Sequence, residues 1–294
     1  MKHWIFAARL RTLPLSLSGI IVGSAYAYQQ GFSDKYILIL ALLTTLGLQV
    51  LSNYANDYGD GIKGTDANRI GEKRMVAAGI ITAKKMKAAV ILISGITLVL
   101  SLTLIYVAFG DENFVLSIIF VLLGLGAIGA AIKYTVGSNA YGYNGLGDLF
   151  VFVFFGWVSV LGSNFLFTQT IDSKLMLAST SIGLLSVAVL NLNNMRDIEN
   201  DKKAGKMTLV VKMGLKKAKN YHQILLSLAS LCFLLFLYLT KASLIPIIII
   251  NLPLIIHIRK VLGAEKYEDF DPELKKVALS TFALSLLYAL FVLL

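Results

Sequence analysis

Two stretches of this 294-residue chain place aspartates and asparagines at regular spacing directly after hydrophobic segments. The first stretch reads NDYGDGIKGTD and the second reads NNMRDIENDKKAGKMT. If each hydrophobic segment continues as a helix, Asn56 and Asp60 share one helix face, and Asp197 and Asp201 stack one turn apart with Asn193 a turn above. The candidate metal ligands are Asn56, Asp57, Asp60, Asp66, Asn193, Asp197 and Asp201.

Like-charged carboxylates on one helix face repel each other unless a cation lies between them. A ligand set made of oxygen atoms alone is typical of a hard cation, so we expect Mg2+, with Mn2+ as the other candidate. We interpret Asp60, Asp197 and Asp201 as the catalytic carboxylates. An EF-hand is excluded, since Gly59, Gly61 and Asn68 stand where its loop needs acidic or amide ligands and a final Glu.

The loops that contain these two stretches are rich in basic residues, which bind the phosphate oxygens that a metal ion leaves uncovered. The candidate diphosphate ligands in these loops are Lys63, Arg69, Arg74, Arg196 and Lys206. Other lysines here, such as Lys84 and Lys216, need no ligand, because positive charge on cytoplasmic loops is explained by membrane topology alone. Together, the acids and bases predict a diphosphate held through metal ions.

The rest of the chain is apolar enough to lie in a membrane. Hydrophobic residues make up 57% of the chain, charged residues only 15%, and the mean hydropathy is +0.75. A soluble core of this size cannot bury so much apolar surface, so we predict an all-α, multi-pass helical bundle. The nine predicted spans are about 13–30, 36–55, 87–109, 114–132, 147–168, 175–194, 219–239, 242–260 and 275–294.

The loop charges predict the orientation of this bundle. Of the 27 Lys and Arg residues, all but Lys35, Lys174 and Lys241 fall on the side of the N-terminus. The positive-inside rule then places the N-terminus in the cytoplasm. The net charge of +10 is therefore mainly topological and requires no nucleic-acid partner. The single cysteine, Cys232, leaves no intramolecular disulfide to form.

These motifs resemble the UbiA superfamily of intramembrane aromatic prenyltransferases, whose signatures have the forms N-D-x-x-D and D-x-x-x-D. The segment YGYNGLGDLFVFVFFG, together with both acidic stretches, is similar to the branch of that family that prenylates 1,4-dihydroxy-2-naphthoate. The resemblance implies metal binding at the aspartates named above and diphosphate binding by Lys133. Aromatic rings also stabilise an allylic cation. The candidate pocket aromatics are Tyr134, Tyr141, Tyr143, Phe150 and Trp157.

The resemblance implies a Mg2+-dependent prenyltransferase that forms one transmembrane domain over residues 1–294. Its substrates would be a polyprenyl diphosphate and the naphthoate acceptor. We expect it in the cell membrane, with the active site on the cytoplasmic side. Other aromatic acceptors, 4-hydroxybenzoate and homogentisate, remain alternatives. A transporter built from an internal repeat is a weaker one, because its coupling residues should lie near the bilayer midplane. A phosphatidyl-alcohol phosphotransferase would need a D-G-x-x-A-R motif, which is absent.

Overall fold

The computed structural model describes residues 2–65, 72–110 and 113–294. Over these residues the protein is α-helical and has nine helical segments that are long and apolar enough to cross a membrane. This confirms the predicted multi-pass helical architecture. The nine segments are Lys2–Gln29, Lys35–Lys63, Ala83–Phe109, Phe114–Lys133, Gly147–Thr168, Leu175–Arg196, Leu215–Leu239, Ile245–Gly263 and Tyr267–Leu293.

The individual helices are numbered in chain order. They are α1 (Lys2–Ala8), α2 (Leu13–Gln29), α3 (Lys35–Lys63), α4 (Ala83–Phe109), α5 (Phe114–Lys133), α6 (Gly147–Val151), α7 (Gly162–Thr168), α8 (Leu175–Arg196), α9 (Ile198–Lys203), α10 (Leu209–Met213), α11 (Leu215–Leu239), α12 (Ile245–Gly263) and α13 (Phe270–Leu293). A π-helical segment, Phe152–Leu161, joins α6 to α7. The chain forms two compact units, which are described separately.

The first unit contains residues 1–13, 36–147 and 197–212. Its apolar core lies around the second half of α3, where Leu51 and Ala55 pack with Met86 at the start of α4. The amide of Asn53 donates to the Ala8 carbonyl (2.9 Å), and the Tyr54 hydroxyl donates to the Trp4 carbonyl (3.1 Å). These buried side-chain bonds fix the N-terminal segment on α3.

The second unit contains residues 14–35, 148–196 and 213–294. Its most buried transmembrane helix is α8. In the most apolar part of this helix, 72% of the residues are buried. An aromatic cluster of Tyr26, Phe233, Phe236 and Tyr288 joins α2, α11 and α13, with ring centroids 5.4–6.0 Å apart. Edge-to-face pairs of this kind add stability beyond the area they bury.

Glycines bring the π-helical segment into backbone contact with helices on two sides. A Cβ at Gly23 of α2 would lie 2.2 Å from the Val160 carbonyl oxygen, and one at Gly183 of α8 would lie 2.9 Å from the Phe152 carbonyl oxygen. Gly19 and Gly23 form a G-x-x-x-G pattern, which lets membrane helices approach closely where lipid offers no hydrophobic driving force. Only glycine fits these two contacts.

Two helices extend beyond the predicted apolar spans in ways that matter for function. Helix α3 continues past the apolar span that ends near residue 55, through its polar end to Lys63, as the shared face of Asn56 and Asp60 requires. Helix α13 begins at Phe270 rather than near residue 275, so Asp271 and Glu273 belong to its first turn. Both extensions carry acidic residues. The predicted spans did not include them, because those spans were defined by runs of apolar residues. The cytoplasmic N-terminus stays a prediction.

Candidate active site

The first acidic stretch is helical up to Lys63, as its spacing requires. Asp57 is 1% exposed and Asp60 is 2% exposed, although both follow an apolar span. The α3 backbone approaches its neighbours closely here, since a Cβ at Gly59 would lie 2.6 Å from the Thr135 hydroxyl oxygen. The carboxylates are therefore held inside the protein and not in a solvated loop. Asp66 and Arg69 lie outside the described residues.

Asp57 binds the chain that follows the first acidic stretch. Its Oδ2 accepts the Met75 backbone N–H (3.0 Å) and its Oδ1 accepts the Val76 N–H (2.9 Å). The two amides thus satisfy both carboxylate oxygens inside the protein. Asp57 thus has a structural role, and its role as a metal ligand stays a prediction.

Asp60 is linked to the phenol of Tyr143. The Tyr143 hydroxyl donates to Asp60 Oδ1 (2.8 Å) and lies 2.6 Å from the Thr65 hydroxyl, which then acts as a donor to it. Arg74 Nη2 lies 3.7 Å from the other Asp60 oxygen. Burial and the nearby Asp60 charge raise the pKa of Tyr143, so its hydroxyl remains a donor.

Two lysine side chains lie near the ring of Tyr143. Lys63 Nζ lies 3.9 Å from the ring centroid and donates to the Thr135 carbonyl (2.8 Å). Lys206 Nζ lies 5.6 Å from the same centroid and 3.7 Å from Asp201 Oδ1. Cation–π contacts of this kind hold positive charge near an aromatic face. The two ammonium groups and Arg74 form a positive region beside the carboxylates.

The second acidic stretch reaches the same place. Asn200 donates a side-chain hydrogen bond to the Thr65 carbonyl, and Lys206 extends from Asp201 toward Tyr143. Thr65 and Asn200, which are 135 residues apart in the sequence, therefore join the two stretches within the first compact unit. This juxtaposition, inferred from two similar motifs, is the central geometric feature of the candidate site.

The helix carrying the second stretch is interrupted. Helix α8 ends at Arg196, Asp197 has a φ of −96° and a ψ of 7°, and α9 begins at Ile198. The Asp201 amide still donates to the Asp197 carbonyl (2.8 Å), so these two residues remain one turn apart. Asp197 is 6% exposed and Asp201 is 3% exposed. The sequence predicted that Asp197 and Asp201 lie one helical turn apart, but it did not predict the interruption of the helix at Asp197.

The donor chemistry of this region fits Mg2+. Four carboxylates, those of Asp57, Asp60, Asp197 and Asp201, are at least nine-tenths buried, and all offer hard oxygen atoms. Within residues 2–65, 72–110 and 113–294, no three His, Cys, Asp or Glu side chains lie close enough to hold one ion. The remaining ligands would be waters and substrate phosphate, as is usual for Mg2+.

The other predicted residues lie in varied surroundings. Asn56 Oδ1 accepts from the Thr135 hydroxyl (3.2 Å), and Lys133 is exposed at the end of α5. Tyr134 and Tyr141 pack edge to face at 5.3 Å, and the Tyr141 hydroxyl donates to the Ala130 carbonyl (2.8 Å). Their roles as diphosphate or pocket residues stay predictions.

Four predicted residues belong to the second unit. Phe150 stacks on Phe154, and Trp157 is 39% exposed. Asn193 accepts from Arg196, whose guanidinium also pairs with Asp271. Arg196 is thus engaged by protein groups, a contact that the motif itself does not predict. Sequence reasoning also missed Thr65, Thr135 and Asn200; only the Thr that follows Gly in the first motif hinted at Thr65.

Comparison with known proteins places this site in a family. A model of the "UbiA prenyltransferase family" matches residues 16–275. The chain is similar to the 1,4-dihydroxy-2-naphthoate octaprenyltransferase of Haemophilus influenzae, at 44% identity over 99% of this chain and 95% of that protein. It is also similar to the enzyme of that name from Escherichia coli, at 46% identity over 80% of this chain and 76% of that protein.

Solved structures show the same fold. A UbiA homologue from Aeropyrum pernix superposes with a TM-score of 0.72 at 17% identity, over 95% of this chain and 98% of that one. A UbiA homologue from Archaeoglobus fulgidus, bound to GPP and Mg2+, superposes with a TM-score of 0.69 at 15% identity, over 99% and 98%. With the family model covering most of the sequence, the chain belongs to the UbiA prenyltransferase family.

Proposed function

We propose that this protein transfers a polyprenyl group from polyprenyl diphosphate to 1,4-dihydroxy-2-naphthoate, with loss of CO2, to give demethylmenaquinol, the quinol form of demethylmenaquinone. The observation that carries the proposal is the meeting of the two acidic stretches at Tyr143, in a chain that is similar to naphthoate prenyltransferases over nearly its whole length. We further propose that residues 1–294 act as one domain in the cell membrane, with this site on the cytoplasmic side.

The basic groups around Tyr143 are suited to hold the diphosphate. Lys63 and Lys206 present ammonium groups on the ring, and Arg74 adds a guanidinium beside Asp60. Positive groups that are already in position before the reaction stabilise the negative charge that develops on the leaving diphosphate. The protein then does not have to reorganise during the reaction. The carboxylates of Asp60, Asp197 and Asp201 would hold Mg2+. When bound, Mg2+ supplies Lewis-acid stabilisation of the same developing charge.

The transfer then balances as follows. The allylic C–O bond breaks and its electron pair leaves with the diphosphate, which leaves a cation on the prenyl chain. The ring carbon that bears the carboxylate forms the new C–C bond, and the bond to that carboxylate breaks, so that CO2 leaves and the ring regains aromaticity. Burial of the site excludes the water that would otherwise capture the cation. Tyr134, Tyr141 and Tyr143 supply aromatic faces nearby.

The test is a comparison of acceptors. Purified protein is incubated with Mg2+, a radiolabelled prenyl diphosphate and, in separate reactions, dihydroxynaphthoate, 4-hydroxybenzoate or homogentisate. We expect label in a prenylated naphthoquinol and release of CO2 in equal amount. Label in a 4-hydroxybenzoate product, with none in a naphthoquinol, would assign a different acceptor. An Asp60→Asn sample serves as the inactive control.

A metal test belongs to the same assay. Because the proposed ligands are all oxygens, EDTA should abolish turnover and Mg2+ or Mn2+ should restore it. Ca2+ should restore it poorly, since its larger and looser coordination shell fits the site less well. Full turnover in excess EDTA would rule out a diphosphate held through metal ions.

A further inference from the structure

Arg196, the last residue of α8, is buried in the second unit. Its side chain has no solvent-exposed surface. Nη2 donates to Asn193 Oδ1 (2.8 Å), and Nη1 forms an ion pair with Asp271 in the first turn of α13. Both of these guanidinium nitrogens thus contact protein groups. The surroundings of Arg196 indicate that it joins two helices.

A buried charge is costly unless an opposite charge and hydrogen bonds compensate it, so removal of one partner from such a pair is strongly destabilising. Asp271 is well placed for this pairing, because a carboxylate in the first turn of a helix also interacts favourably with the helix dipole. The ion pair between Arg196 and Asp271 therefore fixes the end of α8 on the start of α13.

A second contact of the same helix turn reinforces the first. Glu273 Oε2 lies 2.6 Å from His257 Nδ1 on α12, and His257 Nε2 lies 2.8 Å from His222 Nε2 on α11. All three side chains are at most 5% exposed. The first turn of α13 thus has polar contacts to α8 and α12, and through His257 to α11.

The position of Arg196 in the chain gives this contact a functional meaning. Asp197, the first aspartate of the second acidic stretch, follows Arg196 directly. The α-helix is interrupted at Asp197, so this residue does not simply continue α8. The contacts of the Arg196 side chain restrain the residue to which Asp197 is directly bonded.

We propose that Asp271 is a positioning residue that acts through Arg196 to hold the start of the second acidic stretch in its metal-binding arrangement. This inference rests on the proposed function for its turnover assay, but not for its metal-binding assay. Through Asp271, the last transmembrane helix would support the metal site, although this helix contains none of the motifs described above.

The experiment measures Mn2+ binding by electron paramagnetic resonance, and kcat and KM for the prenyl diphosphate. Asp271→Asn should weaken Mn2+ binding and lower kcat by about tenfold each, the lower end of what supporting residues of metal sites lose. At saturating Mg2+, the KM should change by less than about twofold, because Asp271 is proposed to act through Arg196 and not on the prenyl diphosphate itself. Asp271→Glu, which keeps the charge, should recover most of both losses.

Asp269→Asn is the matched control. Its carboxylate accepts the Lys266 backbone N–H (3.0 Å) at the same helix start and has no described contact with Arg196. This variant should keep the Mn2+ affinity and kcat of the unmodified protein. Equal losses in Asp269→Asn and Asp271→Asn would overturn the inference, because they would indicate general loosening of the helix start.

Arg196→Lys separates positioning from direct diphosphate binding, and it is a milder change if Asp271→Asn fails to insert. Lysine cannot reach both Asn193 and Asp271 as the guanidinium fork does. We expect weaker Mn2+ binding with an unchanged KM. A raised KM with unchanged Mn2+ affinity would show that Arg196 binds the diphosphate and would refute the inference. If the unmodified protein binds Mn2+ but does not prenylate the naphthoate, only the proposed function is contradicted.

Discussion

At the scale of single residues, Tyr143 connects the two halves of the candidate site. Its hydroxyl contacts Asp60 and Thr65 from the first acidic stretch, and its ring lies near Lys206 from the second. The Met207 amide also donates to the Tyr143 carbonyl (3.0 Å). Loss of the hydroxyl alone should therefore disturb the site while the ring and the backbone contact remain.

Tyr143→Phe tests this role. A hydrogen bond to a charged group contributes about 1.5–3 kcal/mol, so we expect kcat to fall by roughly 10- to 100-fold. Tyr141→Phe is the control, since its hydroxyl donates to the backbone carbonyl of Ala130. That variant should stay within about threefold of the normal rate. Similar rates for both variants would show that the bond to Asp60 is unimportant for turnover.

The two acidic stretches should behave as one unit. Asp60→Asn and Asp197→Asn each remove a proposed metal-ligand charge and should each reduce turnover by at least roughly 100-fold. The double variant should lose little more than the worse single one, because groups that act together are not additive. Lys84→Gln and Lys216→Gln should stay within about threefold. Near-normal initial rates for either aspartate variant would mean that its stretch is not catalytic.

Asp57 should contribute to stability as well as to any metal site. In Asp57→Asn, only one side-chain atom can accept, so one of the Met75 and Val76 amides loses its partner inside the protein. An unsatisfied buried donor costs about 1–3 kcal/mol. Thermal unfolding in detergent without added metal should show a lower Tm. An unchanged Tm would indicate that the two amides find other partners.

Residue spacing was enough to nominate Asp60, Asp197 and Asp201 as candidate metal ligands, because helical periodicity is local. It could not find Asn200 or Asp271, whose partners are distant in sequence and are chosen by tertiary packing. Arg196 was assigned to diphosphate from its neighbours in the sequence alone. The motif around Arg196 contains no information about its partner Asp271, which lies on the last helix.

At the scale of helices, runs of about 20 apolar residues predicted the nine spans, since the bilayer sets that length. The polar ends were harder to predict. Helix α3 continues through Asp57 and Asp60 because tertiary bonds satisfy those carboxylates inside the protein. The π winding of Phe152–Leu161 is also absent from the prediction, because apolar composition does not distinguish it from an α-helix.

The glycine contact between α2 and the π-helical segment can be tested with a matched pair. In Gly23→Ala, the new Cβ would lie 2.2 Å from the Val160 carbonyl oxygen, and overpacking of this kind costs about 1–3 kcal/mol. Gly162→Ala adds a methyl group where no atom lies within 4 Å and should leave stability equal or slightly higher. Thermal unfolding of the two proteins checks this. Equal Tm values would show that α2 moves freely away from the π-helical segment.

At the scale of the whole molecule, the loop charges predict which loops face the cytoplasm. The nine predicted crossings, an odd number, also predict that the two termini lie on opposite sides of the membrane. Neither prediction depends on how the helices pack. The first depends on the distribution of Lys and Arg along the chain and the second on the number of apolar spans, and both are visible in the sequence.

Cysteine labelling tests this orientation. In a Cys232→Ser background, Lys84→Cys and Lys174→Cys each place one thiol at an exposed position on opposite predicted sides. A membrane-impermeant maleimide added to intact cells should label the variant at position 174 and not the one at 84. Cell lysis should make both reactive. The reverse pattern in intact cells would invert the predicted topology.

The glycine contact of α2 also has a consequence for the order of events during synthesis. Gly23 and Val160 are about 140 residues apart, so a ribosome adding about 5–20 residues per second delivers the partner about 7 to 30 s after the glycine. During that interval the glycine face of the first span lies against lipid or the insertion machinery, without the segment that covers it in the finished protein. A nascent chain stalled before residue 160 should therefore be an efficient substrate for membrane quality control, whereas one stalled beyond α7 should begin to resist it.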